Sequence, residues 1–199
     1  MRLLIAVLLA SVLPWNSTAP VQAPEDAAHA VLITGASSGI GRRTAELLAA
    51  EGFFVYAGAR SDEDLAELDA IENVRAVRLD VTKPEQIAAA VQTVREGGRG
   101  LYGLVNNAGV GLGGPLELVP ITRTRDLFDI NVIGLLAVTK AFLPLLREAR
   151  GRVVNIGSLA GILAMPGASS YAASKFAVQA ITDSLRVELE PFGVQVTIV

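Results

Sequence analysis

The sequence lacks cysteine, has one histidine and one tryptophan, and contains no run of basic residues. Without cysteine the chain forms no disulfide and uses no thiol chemistry. The absence of cysteine does not identify the cellular compartment. The single histidine, His29, leaves no material for a histidine-dependent triad or a histidine metal site, so we expect no metal. The formal net charge of −3, with no basic or basic–aromatic patch, argues against a nucleic-acid partner.

Apolar and small residues are what the chain has in abundance. Hydrophobic residues make up 51% of its 199 residues, charged residues make up 19%, and there are 19 glycines. This composition is typical of a folded α/β domain and argues against disorder. The length fits one domain with a substantial core.

Residues 1–29 are predicted to be a hydrophobic leader and a linker outside the folded domain. The apolar run Leu3–Leu13 follows an arginine, which is the layout of a secretory signal, and it is too short to span a bilayer. Ser17–Ala19 and Val21–Ala23 both resemble cleavage sites, but a proline follows each of them. Two interpretations stay open, an export signal or an uncleaved tether that associates the protein with a membrane; otherwise the protein is expected in the cytoplasm. His29 ends the linker and is interpreted as inert.

From residue 30 onward, strand-like apolar runs alternate with helix-like segments. The apolar runs are bounded by glycine and proline and largely lack polar alternation, which indicates strands buried on both faces of a parallel sheet. The predicted strands are 30–34, 53–57, 74–79, 101–105, 152–156 and 194–199. The predicted helices are 40–50, 62–71, 84–95, 124–148 and 170–190. The pattern predicts one doubly wound, Rossmann-like α/β domain over residues 30–199.

A glycine-rich turn, Gly35–Gly41, separates the first predicted strand from its helix. Glycines let a backbone turn sharply and approach a ligand, and the amides that open the following helix favour an anion. The spacing is G-x-x-x-G-x-G rather than the usual dinucleotide G-x-G-x-x-G. Such a turn can serve the backbone alone, but its place between an apolar run and an amphipathic helix favours nucleotide binding.

A second candidate site lies in the last predicted helix, at Tyr171 and Lys175. Residues four apart lie on one helix face, so the phenol and the ammonium are expected to be neighbours. A free phenol has a pKa of about 10, and a fixed cation beside it favours the phenolate. Tyr171 is therefore a candidate general acid/base. Taken alone, this pair is more often an ordinary surface tyrosine and lysine.

These motifs, taken together, resemble those of the short-chain dehydrogenase/reductase family. The family's marks occur here in order: the turn at Gly35–Gly41, the NNAG segment at residues 106–109, Asn131, Ser158, and the YxxxK pair Tyr171 and Lys175. The resemblance runs from about residue 30 to the end of the chain. Within the family, the segment 111–117 is most similar to the branch that acts on retinoids and hydroxysteroids.

The resemblance implies catalytic roles for four residues. Tyr171 exchanges the proton of the substrate oxygen, and Lys175 assists it and hydrogen-bonds the nicotinamide ribose. Ser158 donates to the substrate oxygen, although a loop serine also commonly satisfies backbone groups. Asn131 lies inside a long helical pattern, where asparagine is a poor helix former. The resemblance implies a local kink there that holds a water connecting Lys175 to solvent.

The resemblance also implies a cofactor site built from several segments. Asn107 ties adjacent strands together near the cofactor. Asp80 and Val81 match the position that contacts the adenine amino group, although a carboxylate at Asp80 also suits a turn cap ahead of Thr82. The cofactor-binding residues implied in this way are Gly35, Ser37, Ser38, Gly39, Ile40, Gly41, Asp80, Val81, Asn107, Ala108, Gly109, Tyr171 and Lys175.

The end of the second predicted strand bears on cofactor preference. An acidic side chain there accepts hydrogen bonds from the adenosine ribose and repels a 2′-phosphate. This chain has Ala59 instead, followed by Arg60, whose guanidinium suits phosphate. Arg60 is therefore added to the predicted cofactor site, and NADP(H) is favoured over NAD(H). The alternative is a solvated arginine at a strand end. Arg42 and Arg43, which follow the glycine turn, either assist Arg60 in binding the phosphate or point outward into solvent.

The sequence stops inside the sixth predicted strand, where family members continue into a Pro-Gly loop, a substrate-covering segment and a final strand. We therefore expect a domain that is incomplete at its C-terminus and lacks the final strand region. The predicted function is an NADP(H)-dependent oxidoreductase that interconverts a carbonyl and a secondary or primary alcohol on a small lipophilic substrate. The alternative is a truncated, catalytically weak or inactive module that binds a nucleotide or a partner. The resemblance also implies a homodimer or homotetramer built through helices 124–148 and 170–190.

Overall fold

The computed structural model describes residues 29–199, and residues 1–28 of the predicted leader and linker (1–29) lie outside the described residues. Six strands form one sheet in which every neighbouring pair is parallel, in the order β3-β2-β1-β4-β5-β6. The strands are β1 (Ala30–Ile33), β2 (Phe54–Ala59), β3 (Val74–Arg78), β4 (Gly103–Asn106), β5 (Arg152–Asn155) and β6 (Gln195–Ile198). The prediction of a doubly wound parallel sheet is confirmed.

Helices connect successive strands. They are α1 (Gly39–Ala50), α2 (Asp62–Asp69), α3 (Pro84–Glu96), α4 (Ile121–Phe128), α5 (Leu135–Glu148) and α6 (Ser169–Leu189). Short 3₁₀ turns cover Leu116–Leu118, Leu159–Gly161 and Glu190–Phe192. One apolar cluster joins the sheet to α3, α5 and α6, and a second joins it to α1 and α2. The strands are therefore buried between helical layers, as their continuous apolar runs predict.

The long predicted helix 124–148 differs from expectation in two ways. It begins at Ile121, directly after Pro120, and the stretch Asp129–Gly134 between α4 and α5 is a wider π-helical turn. A π turn closes its backbone hydrogen bonds over one residue more than an α turn, and such turns inside helices often lie at functional sites. The expected local irregularity around Asn131 is therefore present in the backbone.

The span Ile121–Glu148 is long and apolar enough, by length and composition, to cross a membrane, with a mean hydropathy of 1.6 over its best window. Half of that window is buried inside the domain, and Phe142 and Leu146 lie fully in the core. This burial is what a core helix of a folded domain requires. Packing in the core therefore accounts for the buried half of this window.

His29 was expected to end the linker, but the structure makes it part of the domain. Its ring stacks on Tyr102 with 4.1 Å between ring centroids, and its carbonyl accepts a hydrogen bond from the amide of Phe54 at 3.2 Å. The aromatic neighbour explains the difference, because a planar ring gains contact area against Tyr102 that an exposed linker residue lacks.

Candidate functional site

A cleft of about 390 Å³ opens at the carboxyl ends of the strands, where β1 and β4 lie side by side and the chain winds outward in both directions. In open parallel sheets this switch point is where ligands bind. The predicted site residues that line the cleft are Gly35, Ser37, Ser38, Ile40, Arg60, Asp80, Val81, Asn107, Ala108, Gly109, Tyr171 and Lys175. Four predicted residues lie outside its lining: Gly39, Gly41, Ser158 and Asn131.

The glycine turn leads from β1 into α1. Gly35 has φ +64°, and a Cβ there would lie 2.9 Å from the Cα of Ala108. A Cβ on Gly41 would overlap the Nδ2 atom of Asn107 and the carbonyl oxygen of Gly35. Gly39 has φ +56° and faces open space. The glycines therefore serve two purposes, close packing at Gly35 and Gly41 and a left-handed turn at Gly39.

The backbone amides in the first turn of α1 have no side-chain partner. Ser38 is the N-cap residue, with extended backbone, and its side chain makes no capping hydrogen bond. No acidic residue lies in the first turn. The helix amides and the positive end of the helix dipole are thus available to an anion such as a pyrophosphate.

Asn107 and Thr34 join the ends of β1 and β4. The amide Nδ2 of Asn107 donates to the carbonyl oxygens of Thr34 and Gly35, each at 2.9 Å. The hydroxyl of Thr34 accepts from the backbone amides of Asn107 at 3.0 Å and Ala108 at 2.9 Å. Asn107 thus ties the two segments together as the resemblance implied. The role of Thr34, which directly precedes Gly35, is not among the predictions from the sequence.

Asp80 is held in a tight turn after β3. Its Oδ1 accepts from the amide of Thr82 at 2.9 Å and from the Thr82 hydroxyl at 2.7 Å. Burial raises the pKa of Asp80, but these hydrogen bonds and the nearby charges of Arg60 and Lys83 outweigh that effect, so the pKa lies below its ordinary value. The turn-cap role is present, and Asp80 lines the cleft as well.

The arginines near the turn differ in their partners. Arg42 is paired with Glu46 at 3.0 Å and with Glu67 at 3.3 Å, and Arg43 is paired with Glu46 at 3.3 Å. Arg60 is exposed, lines the cleft, and forms no salt bridge within residues 29–199. Of these three guanidiniums, Arg60 is therefore the one whose charge is free for a ligand.

Tyr171 and Lys175 lie on one face of α6 and both line the cleft. The ammonium of Lys175 donates to the carbonyl oxygen of Ile156 at 2.8 Å and lies 6.0 Å from the centroid of the Tyr171 ring. Lys175 is only 9% exposed, and this burial lowers the pKa of its ammonium group. A buried cation beside a phenol at a cleft is an arrangement suited to proton exchange.

Asn131 and Ser158 are engaged by nearby backbone. The side chain of Asn131 accepts from the amide of Val110 at 2.8 Å and donates to the Val110 carbonyl at 3.0 Å, and it also donates to the Ser174 hydroxyl at 3.2 Å. The Ser158 hydroxyl accepts from the amide of Ala160 at 3.1 Å and caps a short 3₁₀ turn. The alternative role for Ser158, satisfying a backbone group, is therefore present in the structure.

Two loops that follow β4 and β5 expose an apolar surface. They are joined by a backbone hydrogen bond from Gly114 to Gly167 at 2.7 Å. Val110 and Gly157, near the starts of these loops, line the cleft. The exposed apolar residues called here the apolar rim lie in these loops and at the first residue of α4, and they are Leu116, Leu118, Ile121, Leu159, Ile162, Leu163 and Met165. Several large exposed side chains in adjacent loops typically mark a binding surface.

A family model described as short chain dehydrogenase matches residues 29–199. The mitochondrial D-beta-hydroxybutyrate dehydrogenase of Rattus norvegicus is 41% identical over 188 residues, which cover 89% of this chain and 55% of that protein. Retinol dehydrogenase 16 of the same organism is 44% identical over 174 residues, which cover 85% of this chain and 55% of that protein. The chain thus spans about half the length of the curated relatives it matches.

The fold also matches that of a solved short-chain dehydrogenase. A short-chain dehydrogenase from Streptomyces avermitilis superposes with a TM-score of 0.81 and is 39% identical in sequence. The superposition covers 86% of this chain and 65% of that one.

Proposed function

The chain belongs to the short-chain dehydrogenase family, as its motifs predict, and on that premise we propose that it is an oxidoreductase that interconverts a carbonyl and an alcohol. Tyr171 and Lys175 carry this proposal, because the phenol and the buried ammonium face the same cleft as the glycine turn. A nucleotide held by the turn and a substrate beside the phenol then share one space.

The residues of the cleft fit a nicotinamide dinucleotide. Gly35 and Gly41 keep the turn free of Cβ atoms, the first turn of α1 is uncapped, and Asn107 fixes the turn against β4. These features would hold the pyrophosphate, and Asp80 and Val81 would border the adenine. When bound, the cofactor supplies or accepts the hydride.

The protein's own part is proton supply and orientation. In the reducing direction Tyr171 gives its proton to the carbonyl oxygen and recovers one from solvent; in the oxidising direction the phenolate accepts the hydroxyl proton. Lys175 stabilises the phenolate, and its ammonium is fixed by the carbonyl of Ile156. Ser158 lies on the loop after β5, and its hydroxyl can accept from Ala160 while donating to a substrate oxygen.

NADP(H) is the proposed cofactor. Ala59 at the end of β2 offers no carboxylate to repel a 2′-phosphate, and Arg60 presents an unpaired guanidinium at the cleft among residues 29–199. The pairing of Arg42 with two glutamates supports Arg60, rather than Arg42, as the phosphate ligand.

The proposed substrate is a small lipophilic alcohol or carbonyl compound. The apolar rim supports this class, since its two loops continue from strands whose ends line the cleft. One relative bears the name retinol dehydrogenase 16, which agrees with a lipophilic substrate. The predicted leader and linker add a proposal on localisation: residues 1–29 direct the protein to a membrane or to export, and fractionation of cells with and without this segment tests it.

The function is tested with two tyrosine variants. Tyr171→Phe is expected to abolish turnover of carbonyl substrates with NADPH while leaving NADPH binding unchanged, because only the proton donor is removed. Tyr102→Phe is the matched control, since Tyr102 contacts His29 and Arg152 away from the cleft. Turnover that survives in Tyr171→Phe would contradict the role of Tyr171. NADPH binding without turnover by the parent chain would instead support a nucleotide-binding module without catalysis.

A further inference from the structure

Four buried side chains, called here the polar layer, lie between the sheet and two helices: Asn106 on β4, Thr139 on α5, Asn155 on β5 and Thr182 on α6. Each is at most 4% exposed. Polar groups are rarely buried in such a place without partners, because an unpaired donor or acceptor costs about 1–3 kcal/mol. Their arrangement therefore calls for a reason beyond filling the core.

The hydrogen bonds of the polar layer run in one defined direction. The amide of Asn106 donates to the Thr139 hydroxyl at 2.8 Å and to the Asn155 Oδ1 at 2.9 Å. The amide of Asn155 donates to the Thr182 hydroxyl at 2.9 Å, which in turn donates to the carbonyl of Val178 at 2.7 Å. Both threonine hydroxyls are thus acceptors for an asparagine of the sheet, one on each helix.

The Asn155–Thr182 bond is close to the proposed catalytic pair, Tyr171 and Lys175. Asn155 immediately precedes Ile156, whose carbonyl holds the ammonium of Lys175 at 2.8 Å. Thr182 follows Lys175 by seven residues on α6, which is about two helical turns, so both side chains point to the same side of the helix. Helix α6 is therefore fastened to the end of β5 at two points, through Thr182 and through Lys175.

We propose that Thr182 is a positioning residue that fixes the position of α6 along the direction of β5. It thereby places the Lys175 ammonium against the Ile156 carbonyl. Other bonds hold α6 elsewhere, from Asn131 to Ser174, between Thr124 and Ser170, and from Arg186 to the Val196 carbonyl. The bonds of Lys175 and Thr182, two turns apart, are those that set its position against β5. Thr139 makes the equivalent bond for α5, which carries none of the proposed proton-transfer residues. The effect on turnover rests on the proposed function, but the position of Lys175 does not.

The test compares Thr182→Val with Thr139→Val. Both substitutions replace a buried hydroxyl by a methyl group and leave one asparagine N–H of the sheet without its partner. Thr182→Ser restores the hydroxyl, and Thr182→Ala removes it with less bulk should the valine variant not fold. The chain has three lysines. Two of them, Lys83 and Lys140, are exposed and serve as internal references when acetylation by a water-soluble ester is followed by peptide mass spectrometry.

In Thr182→Val we expect Lys175 to be acetylated about three-fold or more faster relative to the reference lysines, because its ammonium is no longer held against the Ile156 carbonyl. Turnover is expected to fall about ten-fold or more, with NADPH affinity nearly unchanged, because misplacement of a reacting group acts on the chemical step. Thr182→Ser should return both values towards those of the parent, and Thr139→Val should leave both unchanged.

Equal acetylation of Lys175 in Thr182→Val and Thr139→Val would overturn the positioning role and leave the polar layer as a purely structural feature. A parent chain without turnover on any carbonyl would count against the proposed function only, since the acetylation rates of Lys175 still decide the role of Thr182.

Discussion

At the scale of single residues, one guanidinium carries the proposed cofactor preference. We expect Arg60→Ala to weaken NADPH binding about 10-fold or more, because a charge-assisted hydrogen bond to phosphate contributes about 1.5–3 kcal/mol. NADH, which has no 2′-phosphate, should bind as before. Titration followed by nucleotide fluorescence measures both affinities.

Arg43→Ala is the matched control for Arg60. Arg43 also follows the glycine turn, but its exposed guanidinium is paired with Glu46. The control should bind both nucleotides like the parent chain. An equal loss of NADPH and NADH affinity in Arg60→Ala would mean that Arg60 supports the shape of the cleft and does not select the phosphate.

Asp80 predicts a pH-dependent contribution to stability. Its folded-state pKa lies below the ordinary value of 3.8, so folding favours the carboxylate, and this stabilisation is present above pH 3.8 and lost as pH falls through the folded pKa. Asp80→Asn keeps an oxygen acceptor for Thr82 but removes the charge. We expect it to lower the free energy of unfolding by about 1 kcal/mol at pH 7, with the difference shrinking below pH 3.8.

Urea unfolding of the Asp80 variant at several pH values makes this measurement. Asp126→Asn, at an exposed carboxylate on α4, is the control and should change the free energy little at any pH. A difference for Asp80→Asn that stays constant from neutral to acidic pH would show that the hydrogen bonds to Thr82, and not the charge, hold the turn.

At the scale of elements, the order of strands and helices could be predicted from the sequence because the signal is local. Each strand is an apolar run of a few residues, and the predicted bounds agree with the observed strands to within two residues. The π turn was signalled only by Asn131, an awkward residue inside a helical pattern. Its partner, Val110, lies 21 residues away in sequence, so no local pattern could identify the pair.

In the candidate site, too, contacts between neighbouring residues could be predicted from the sequence and contacts between distant residues could not. Tyr171 and Lys175 are four residues apart on one helix, and their proximity follows from helix geometry alone. The bond between Asn155 and Thr182, which are 27 residues apart, depends on how α6 packs on the sheet. No periodicity in the sequence specifies the position of that helix along the strand.

At Gly134, where the π turn passes into α5, helix propensity and packing favour different residues. Alanine is favoured over glycine within a helix by about 1 kcal/mol. A Cβ at this position, however, would lie 2.6 Å from the Cγ2 atom of Val81. Overpacking of this kind typically costs about 1–3 kcal/mol, so we expect Gly134→Ala to lower the free energy of unfolding by about 1 kcal/mol.

A double-mutant cycle with Val81→Ala tests the steric effect at Gly134. Shortening the Val81 side chain removes the nearest atom that a Cβ would meet, while the Val81 Cβ at 2.9 Å and the Asp129 carbonyl oxygen at 3.1 Å remain. In that background Gly134→Ala should destabilise the protein less than it does beside the intact valine, so the two substitutions are coupled. Chemical denaturation of the four proteins measures the cycle, and an equal effect of Gly134→Ala in both backgrounds would contradict a steric role for the Val81 methyl groups.

At the scale of the whole molecule, the fold brings six segments to one edge of the sheet. The glycine turn, Arg60, Asp80, Asn107, Ile156 and the start of α6 all meet where the chain winds outward from β1 and β4. Parallel strands place all their carboxyl ends at the same edge, so each βα connection contributes to a common cleft. The chemistry is thus distributed along the chain and assembled only by the topology.

The exposed surfaces of the span Ile121–Glu148 and of α6 indicate how copies of the chain associate. The span and α6 pack side by side, through the bond between Thr124 and Ser170 at 2.9 Å, and they expose apolar side chains such as Ile133 and Phe176, at 55% and 43%. Because burial of such a surface favours association, we expect a dimer in solution, and Phe176→Glu should shift it towards monomer by placing a charge in the interface.

Light scattering with size-exclusion chromatography gives the mass of each species. Leu47→Glu is the matched control, because Leu47 is similarly exposed, at 48%, but lies on α1. It should remain dimeric at the concentrations where Phe176→Glu dissociates, since a charge on α1 lies outside the helices expected to pair. A parent chain that is monomeric at all concentrations, or a Leu47 variant that dissociates equally, would move the association away from these helices and leave their exposed apolar side chains to another partner.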